Sequence, residues 1–322
     1  MDVLTDLVRL LRPQTVLLGE MTAAGRWGLR MPWHPGPVFY VVTAGRCWYL
    51  PPEGEPIQLE EGDYMLSLRP EGDSFVSEPG ARIVVTDDAY KASHKVDGTL
   101  RLGDAAGPPT TRKLGGLILC EPANAGLLFD LLPRVVIVRA ALDANARLRT
   151  LLALIKDEAE SERPGREAIL SRLIEILLIE TLRRDQTALP ARPTGLLAGL
   201  ADPQLARALA KIHSDVGRSW TIVELASSAG MSRSSFARRF AETMGMAPVE
   251  YLLGWRMALA KDALLHGSKS LGEIASDVGY QSASAFSTAF SNKTGVSPRQ
   301  YASRHSRPVA ASREIVSQMS EP

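Results

Sequence analysis

The chain has few cysteines and no long apolar run. Only Cys47 and Cys120 occur in 322 residues, which is too few for a disulfide scaffold and suits a reducing cytoplasm. No apolar run approaches the length of a membrane span. The first residues, MDVLTDLVRLLRPQ, carry acidic side chains early and lack an apolar core with a cleavage site, so they do not resemble a secretory signal. We expect a cytoplasmic protein whose N-terminus is a short amphipathic helix.

The length and composition indicate two folded domains. A chain of 322 residues exceeds one usual domain, and 45% hydrophobic residues are enough to build substantial cores. The formal net charge is only +1, so the overall charge favours no class of partner. The C-terminal half is mildly basic, which is a weak indication of nucleic acid.

The C-terminal part contains an internal repeat. Segment 221–251 matches segment 270–301, with Thr221, Glu224 and Gly230 repeated as Ser270, Glu273 and Gly279; after the turn, the spacing between matching residues is one residue longer. Each copy predicts a helix that begins at a capping box and ends at glycine, followed by a helix capped by Ser232 or Ser282. Phe236/Phe240 and Phe286/Phe290 then form one buried stripe per copy. Each copy therefore predicts a helix-turn-helix.

The second helix of each unit is the candidate to enter the DNA major groove. Its outward positions opposite the phenylalanines are the candidate base contacts, and neighbouring arginines are candidate phosphate contacts. The second unit carries no charge at these positions, so we expect it to read fewer bases. The predicted DNA contacts are Arg233, Ser234, Ser235, Arg238 and Arg239 in the first unit and Ser282, Ser284, Ser287 and Thr288 in the second.

Two further helices complete the predicted C-terminal domain. A helix over Pro248–Leu265 would be about 27 Å long, close to the roughly 34 Å that separates two reading helices one DNA turn apart. An earlier helix is capped by Asp202, with Pro203 in its first turn; its apolar stripe is Leu205, Leu209, Ile212 and Val216. Trp220 and Trp255 are expected in the core.

Residues 202–305 resemble the DNA-binding domain of the AraC/XylS family. The stretches ELASSAGMSRSSFARRF and EIASDVGYQSASAFSTAFSNKTGVSPRQY carry the resemblance. It implies seven helices with two helix-turn-helix units, and a transcription regulator that activates, represses or does both. Its implied partners are promoter DNA and RNA polymerase, and it implies neither enzymatic activity nor a cofactor. Ala283 and Thr288 depart from the Arg or Lys that members often carry on the second reading helix.

The N-terminal half has a different pattern. Short β-rich runs such as VFYVVTAG, RCWYLP and LGGLILCE alternate with Gly/Pro turns between residues 15 and 140, which predicts a small antiparallel barrel. The order of WGLRMPWHPGPVFYVVTAGRCWYL, LEEGDYMLSLRPEGD and LILCEPANAGLLFDLLPRVV resembles the cupin-type sensor domain of one AraC-type subgroup. The expected fold class is thus α+β, with a cupin-like β-barrel followed by an all-α domain.

The barrel is expected to sense a signal rather than to hold a metal. Metal cupins use a cluster of histidines with a carboxylate, whereas only His34 and His94 fall in this region and Ser74-Phe75 occupies the position where relatives tend to place His. Trp27, Trp33, Phe39 and Trp48 are the candidate lining of a pocket for a small-molecule effector; they could equally be core residues. In an alternative, Cys47 and Cys120, which both fall in predicted strands, form an oxidant-sensing disulfide if they are adjacent, although buried cysteines are more often inert.

Residues 144–184 predict two amphipathic helices broken at Pro164-Gly165. The second is apolar around much of its girth, and in the AraC type this region commonly makes the homodimer; packing on its own barrel is the alternative. The resulting domain prediction is an effector and dimerisation domain over 1–184, a linker over 185–199, a DNA-binding domain over 200–306 and a flexible tail over 307–322.

Overall fold

The computed structural model resolves two compact units. It describes residues 3–31, 36–70, 72–86, 88–96, 99–104, 107–121, 124, 129, 131–140, 146–159, 161–183 and 194–305. The first unit is a sheet with a helical hairpin, built from Pro13–Cys120 and Arg134–Arg183. The second is helical and contains the described residues after 193. Trp33, His34, most of the predicted linker and the tail 307–322 lie outside the described residues.

The first unit is dominated by an 11-stranded sheet. Its strands are short apart from three that form its centre, and Asp88–His94 adds a short helix, α2. The strands are β1 (Gln14–Ala24), β2 (Gly28–Arg30), β3 (Val38–Leu50), β4 (Ile57–Glu60), β5 (Tyr64–Ser67), β6 (Ser74–Val76), β7 (Val84–Val85), β8 (Lys95–Val96), β9 (Thr99–Gly103), β10 (Thr111–Leu119) and β11 (Val135–Val138).

The strand pairing curls the sheet around an apolar interior. Its order is β7-β2-β6-β3-β10-β1-β9-β8, with β4 and β5 also paired to β3. The 13-residue β3 is continuous, whereas the sequence predicts two strands there. The expected antiparallel pattern holds for most pairs, but β1–β9 and β2–β7 are parallel. Alternate residues of β1, β3 and β10 point to the same buried cluster, called the sheet interior below; it includes Met21, Ala23, Val38, Tyr40, Val42 and Leu117.

A helical hairpin follows the sheet, as the pattern over 144–184 predicts. Its helices are α3 (Ala146–Ala159) and α4 (Arg166–Arg183). Gly165, between them, adopts a positive φ of 87°. Helix α4 buries a leucine-rich face against α3 and β1, and this face includes Leu170, Ile174, Leu177 and Leu182. The hairpin therefore belongs to the sheet unit.

The second unit contains the repeat. Its described helices after residue 193 are α5 (Leu196–Ala201), α6 (Pro203–Ser214), α7 (Ile222–Ala229), α8 (Arg233–Met244), α9 (Pro248–His266), α10 (Leu271–Asp277), α11 (Ala283–Thr294) and α12 (Pro298–His305). Helix α5 begins inside the predicted linker 185–199, so the end of that segment is part of the helical fold. Val216, expected on the stripe of α6, lies beyond the end of that helix because α6 stops at Ser214.

The N-terminal amphipathic helix is confirmed as α1, Val3–Leu11. It groups with the helical unit, as does 121–133, although both segments fall within the predicted domain 1–184. In that unit the Asp6 carboxylate lies 3.5 Å from Nδ1 of His213, and Arg12 pairs with Asp262 at 3.0 Å. His213 also meets the Tyr251 hydroxyl, with 2.8 Å between Nε2 and oxygen. These contacts join α1 to α6 and α9.

Candidate nucleic-acid interface and sheet interior

The first helix-turn-helix is built as its sequence predicts. Thr221 accepts a hydrogen bond from the backbone N–H of Glu224, and the Glu224 carboxylate accepts from the backbone N–H of Thr221, which closes the capping box. Gly230 ends α7 in the left-handed conformation, with φ 68°. Ser232 then caps α8 by accepting from the N–H of Ser235. The turn between the two helices is therefore fixed by local hydrogen bonds.

The second unit repeats these devices with one extra residue in its turn. Ser270 and Glu273 form the capping box of α10, and Ser282 caps α11. Here the residue after the last helical one is Val278, and Gly279 supplies the positive φ of 80°. A Cβ on Gly279 would overlap the carbonyl oxygen of Gly217, so this turn packs directly on the loop after α6.

The predicted outward face of α8 is exposed. Phe236 and Phe240 are fully buried, and Ser234 and Arg238 lie one turn apart on the opposite, solvent-facing side. Arg233 is also exposed, and Ser235 is half-buried. Among the described residues, no carboxylate forms an ion pair with Arg233 or Arg238. Both guanidinium groups can therefore be offered to an external partner.

Arg239 differs from its two neighbours because it has intramolecular partners. Its Nε donates to the Asp202 carboxylate at 2.7 Å, and its Nη1 donates to the side chain of Gln204 at 3.0 Å. Asp202 is also the N-cap of α6. Arg239 therefore ties α8 to the start of α6, which gives it a structural task in addition to any phosphate contact.

The corresponding face of α11 is uncharged. Ser284 and Thr288 are exposed, whereas Ser287 is half-buried. The hydroxyl of Ser287 donates to the carbonyl of Ala283, and that of Thr288 donates to the carbonyl of Ser284. With its proton committed to the helix, each of these hydroxyls presents only acceptor lone pairs outward. The second reading helix is consequently the poorer donor surface.

Arg256 is a structural residue that the sequence pattern did not single out. It lies in α9, is only 8% exposed, and is surrounded by the core of the helical unit. Its guanidinium donates to the carbonyls of Val216 and Arg218 at 2.8 Å and of Gly217 at 3.3 Å. Burial lowers the pKa of this arginine. Arg256 therefore holds the loop before the first helix-turn-helix against the helix that connects the two units.

The two tryptophans expected in this core differ in their surroundings. Trp255 is 1% exposed, which confirms the expectation. Trp220 is only half-buried; its indole N–H donates to the carbonyl of Asp215, and the Arg218 guanidinium carbon lies 4.3 Å from its ring centroid. It packs on the loop that precedes α7 instead of entering the core.

The sheet interior contains only part of the predicted aromatic set. Trp27 belongs to it, whereas Phe39 and Trp48 lie on β3 between residues that face the interior and so project from the other side of the strand. Trp33 lies outside the described residues. Tyr40, Tyr49 and Phe75 are the aromatic side chains that join Trp27 inside. The sequence missed them because strand parity could not be assigned before the extent of β3 was known.

A buried lysine lies among these rings. Lys113, on β10, is 3% exposed, and its Nζ lies 3.3 Å from the ring centroid of Phe75, 5.0 Å from that of Tyr40 and 6.0 Å from that of Trp27. Burial lowers the pKa of Lys113 to about 8, while the charges of Cys47 and Asp73 act in the opposite direction. An ammonium group inside the sheet is the feature of this unit that its apolar pattern does not explain.

Burial shifts the pKa values of the neighbouring titratable groups upward. Burial raises the pKa of Asp73, whose Oδ1 accepts a hydrogen bond from the Tyr49 hydroxyl at 3.0 Å. Burial likewise raises the pKa values of Tyr40 and Cys47. The interior is thus a desolvated environment in which any charged group depends on a partner of opposite charge.

The two cysteines are far apart in the sheet. Cys47 is buried on β3 beyond Gly45, which pairs with Thr111 at the start of β10, whereas Cys120 directly follows the other end of β10. The length of β10 corresponds to about 30 Å of extended chain, far more than the separation that a disulfide bridges. The redox alternative requires adjacent cysteines, and this arrangement does not place them side by side. Burial also raises the pKa of Cys120 to about 12, which disfavours its thiolate.

No metal-binding cluster occurs in the described part of the chain, where no group of three or more His, Cys, Asp and Glu side chains could hold an ion. His94, at the end of α2, has its Nδ1 2.9 Å from the carbonyl oxygen of Tyr90, and its ring stacks on the Tyr90 ring. None of the helices within the described ranges combines the length and the apolar character that a membrane crossing requires.

Comparison with known proteins agrees with both halves of this architecture. A cupin family model matches residues 2–185, and a helix-turn-helix domain model matches residues 225–304. A Streptomyces lividans protein described as an AraC-like transcription regulator is 36% identical over 303 residues, which cover 94% of this chain and 98% of that protein. The HTH-type transcriptional regulator AlkR of Acinetobacter baylyi is 30% identical over 285 residues, covering 86% of this chain and 91% of the relative.

Among solved structures, the DNA-binding domain of AdpA, the global transcriptional factor, in complex with a target DNA, is 31% identical. The match covers 34% of this chain and 98% of the AdpA domain, with a TM-score of 0.31. The predicted α+β fold class, with a cupin-like N-terminal part and an all-α C-terminal part, is confirmed by the family matches and the structure. The chain is thus not an enzyme: it belongs to the AraC-like DNA-binding transcription regulators that carry an N-terminal cupin domain.

Proposed function

We propose that this regulator recognises a specific promoter sequence mainly through α8, with α11 as a weaker second reader. The observation that carries the proposal is the exposed pair of Ser234 and Arg238 opposite the buried Phe236 and Phe240. Arg238 has the length and the free donors to bind the O6 and N7 atoms of guanine. The uncharged face of α11 can contribute acceptor and van der Waals contacts, but it lacks an equivalent donor.

The test compares two arginines of the same helix. Arg238→Ala should weaken specific binding by about 1–3 kcal/mol and relax the preference at one base position. Arg239→Ala removes the same charge from the same helix, but its guanidinium is engaged with Asp202. It should therefore weaken specific and nonspecific binding to similar extents. Thr288→Ala should cost much less than Arg238→Ala.

The measurement is fluorescence anisotropy with duplexes from the region upstream of the neighbouring gene and with single-base variants of the bound site. Each protein is titrated at two salt concentrations, because phosphate contacts govern the salt dependence. Equal losses for Arg238→Ala and Arg239→Ala on both specific and random DNA would refute the assignment of Arg238 as a base contact.

We further propose that the α3–α4 hairpin forms a homodimer interface. The helix α4 packs its leucine-rich face within its own unit, yet Ile169 and Ile176, seven residues apart on one face, are 46% and 47% exposed. Leu154 on α3 is 48% exposed as well. Exposed large apolar side chains that share a helix face support an interaction surface there. Packing on the sheet unit occupies the leucine-rich face of α4, and the dimer proposal concerns the face that carries Ile169 and Ile176.

The dimer proposal predicts that charge on this face separates the subunits. Ile169→Glu combined with Ile176→Glu should give a monomer in light scattering, because four carboxylates would have to be desolvated in the interface. Glu167→Gln, on an exposed position of the same helix, is the matched control and should remain dimeric. A dimer that persists in the double variant at micromolar concentration argues against this interface.

The N-terminal cupin domain is proposed to sense a small-molecule effector in the cytoplasm and to pass the signal to DNA and RNA polymerase. A ligand can shift the regulator between states only if it binds one of them better. We favour this over oxidant sensing through Cys47 and Cys120, because the two thiols are widely separated and the pKa of each is raised. An oxidant would have to act on a single, poorly ionised thiol.

A further inference from the structure

The sheet interior combines features that a purely structural core does not need. Lys113 is buried on three aromatic rings, and two of these rings carry polar atoms that have no hydrogen-bond partner within the described part of the chain: Nε1 of Trp27 and the hydroxyl of Tyr40. Trp27 is 4% exposed and Tyr40 is 6% exposed. Leaving such donors buried and unsatisfied costs about 1–3 kcal/mol each, so a partner that satisfies them would be bound favourably.

The side chains of Lys113, Trp27 and Tyr40 are all hydrogen-bond donors. An ammonium, an indole N–H and a phenol O–H can all donate to the same acceptor. The charge of Asp73 acts on Lys113; its Oδ1 accepts from Tyr49, and its Oδ2 is buried without a hydrogen-bond partner among the described residues. One unpartnered acceptor oxygen therefore stands against three donor groups. A ligand that complements them carries an anionic oxygen pair, and the surrounding rings favour a planar apolar body.

The strand register places Lys113 close to a cavity wall. Lys113 and Thr111 lie on the same face of β10, since they pair with Met21 and Ala23, both members of the sheet interior. Thr111 lines an open cavity of about 710 Å³ whose wall carries charges of both signs, from Arg26, Arg46, Glu60, Glu61 and Glu78. Lys113 lies two residues further along the same face and is not itself part of the cavity lining.

We infer that the sheet interior around Lys113 binds a small organic carboxylate, with the ammonium of Lys113 as its counter-ion and Trp27 and Tyr40 as additional donors. The inference rests on the proposed sensor function and names its ligand class. Binding would give the buried cation a charge-assisted hydrogen bond to an anionic oxygen. It would also draw the rings of β3, β6 and the β1–β2 loop onto a common partner.

The first experiment measures binding without DNA. Isothermal titration and thermal shift of the full-length protein use benzoate, butanoate and acetate, with benzamide as the neutral isostere of benzoate. Benzoate should bind and raise the unfolding temperature, acetate should bind more weakly because it leaves the rings uncovered, and benzamide should not bind detectably. Failure of all three carboxylates to bind, or equal binding of benzamide, would overturn the inference.

The second experiment removes the charge. Lys113→Met keeps an unbranched apolar chain and should reduce benzoate affinity about ten- to a hundredfold, the usual effect of losing a hydrogen bond to a charged group. Lys95→Met, an exposed lysine on β8, is the matched control and should bind benzoate as the unmodified protein does. Unchanged affinity in Lys113→Met would show that the lysine only packs on Phe75.

A third readout is the pH dependence of benzoate binding to the unmodified protein. Because the carboxylate binds the protonated lysine, benzoate affinity should fall as the pH rises through the Lys113 pKa of about 8. The groups that face Lys113 and could also titrate are Cys47, Asp73, Tyr40 and Tyr49, and burial raises the pKa of each. Cys47→Ser distinguishes the thiol, since its profile should match the unmodified one. A flat profile between pH 6.5 and 9.5 would contradict lysine as the counter-ion.

The outcomes for the site and for the proposed function are separable. Carboxylate binding that leaves DNA affinity and half-site preference unchanged would retain the site and remove its regulatory role. Specific DNA binding by a protein that ignores every carboxylate would retain the regulator and remove this ligand class.

Discussion

Gly279 and Gly230 occupy matching positions of the two helix-turn-helix units, and substituting each by alanine separates two costs. Both have positive φ, 80° and 68°, and the left-handed conformation costs an alanine about 1–2 kcal/mol. At Gly230 the nearest atom to a new Cβ is Nη2 of Arg207, at 3.5 Å, which is ordinary contact. We therefore expect Gly230→Ala to lose only the conformational cost.

At Gly279 the same methyl group has no room. It would overlap the Gly217 carbonyl oxygen and lie 2.7 Å from Nη2 of Arg256. That loop cannot yield easily, because Arg256 holds the carbonyls of Val216, Gly217 and Arg218. Overpacking of a tight site costs about 1–3 kcal/mol. Added to the conformational cost, the expected loss for Gly279→Ala is about 2–5 kcal/mol.

Native-state hydrogen exchange on the full-length variants measures both effects locally, since it reports the opening free energy of each segment. Peptides from α10 and α11 should lose protection in Gly279→Ala, and peptides from α7 and α8 should lose less in Gly230→Ala. Equal losses in the two variants, or full protection of α11 in Gly279→Ala, would refute the argument that the second turn is packed against Gly217.

Two further outcomes follow from the contacts described. The hydrogen bonds from Thr221 and Ser270 lower the pKa values of Glu224 and Glu273, so the stability that these carboxylates contribute is present above the ordinary glutamate pKa and is lost as the pH falls through the lowered values. The double variant Glu224→Gln, Glu273→Gln keeps the capping box and should flatten this part of an acid-unfolding curve. An unchanged curve would contradict the coupling between these carboxylates and stability. Arg256→Met should destabilise the helical unit by about 2–5 kcal/mol in a urea titration, because it leaves the carbonyls of Val216, Gly217 and Arg218 without their donor. Arg207→Met is the control: it removes an exposed arginine that donates one hydrogen bond to the Ala229 carbonyl, and it should cost less than about 1 kcal/mol.

The sequence predicts those parts of the fold that local chemistry determines. Capping boxes, glycine turns and the phenylalanine stripes depend on residues within one or two helical turns, so Thr221, Ser232 and their repeats could be assigned directly. The outward position of Arg238 follows from the same periodicity. The end of α6 before Val216 could not be read in this way, because the apolar pattern continues past the point where the backbone leaves the helix.

Contacts between distant segments could not be predicted. In the sequence, Arg256 resembles any helical arginine; only the fold places the loop at 216–218 beside it. Lys113 lies in a run, TRKLGG, whose basic residues suggest a solvated edge. Only the pairing of β10 with β1 and β3 shows which of these side chains enters the interior. The separation of Cys47 and Cys120 likewise depends on strand register, which neither cysteine encodes locally.

The continuous helix α9 has a consequence for the DNA that this regulator can use. It is 19 residues long, which is about 28 Å. Arg256 on it anchors the loop before the first helix-turn-helix, and its C-terminal half packs against α10 and α12. One inserted base pair between the two contacted segments would add about 3.4 Å and roughly 36° of rotation, about a tenth of a turn. A rigid helix cannot follow both changes. Insertions and deletions within such a site should therefore be far more damaging than base substitutions, and sites in different promoters should differ in letters but hardly ever in internal length.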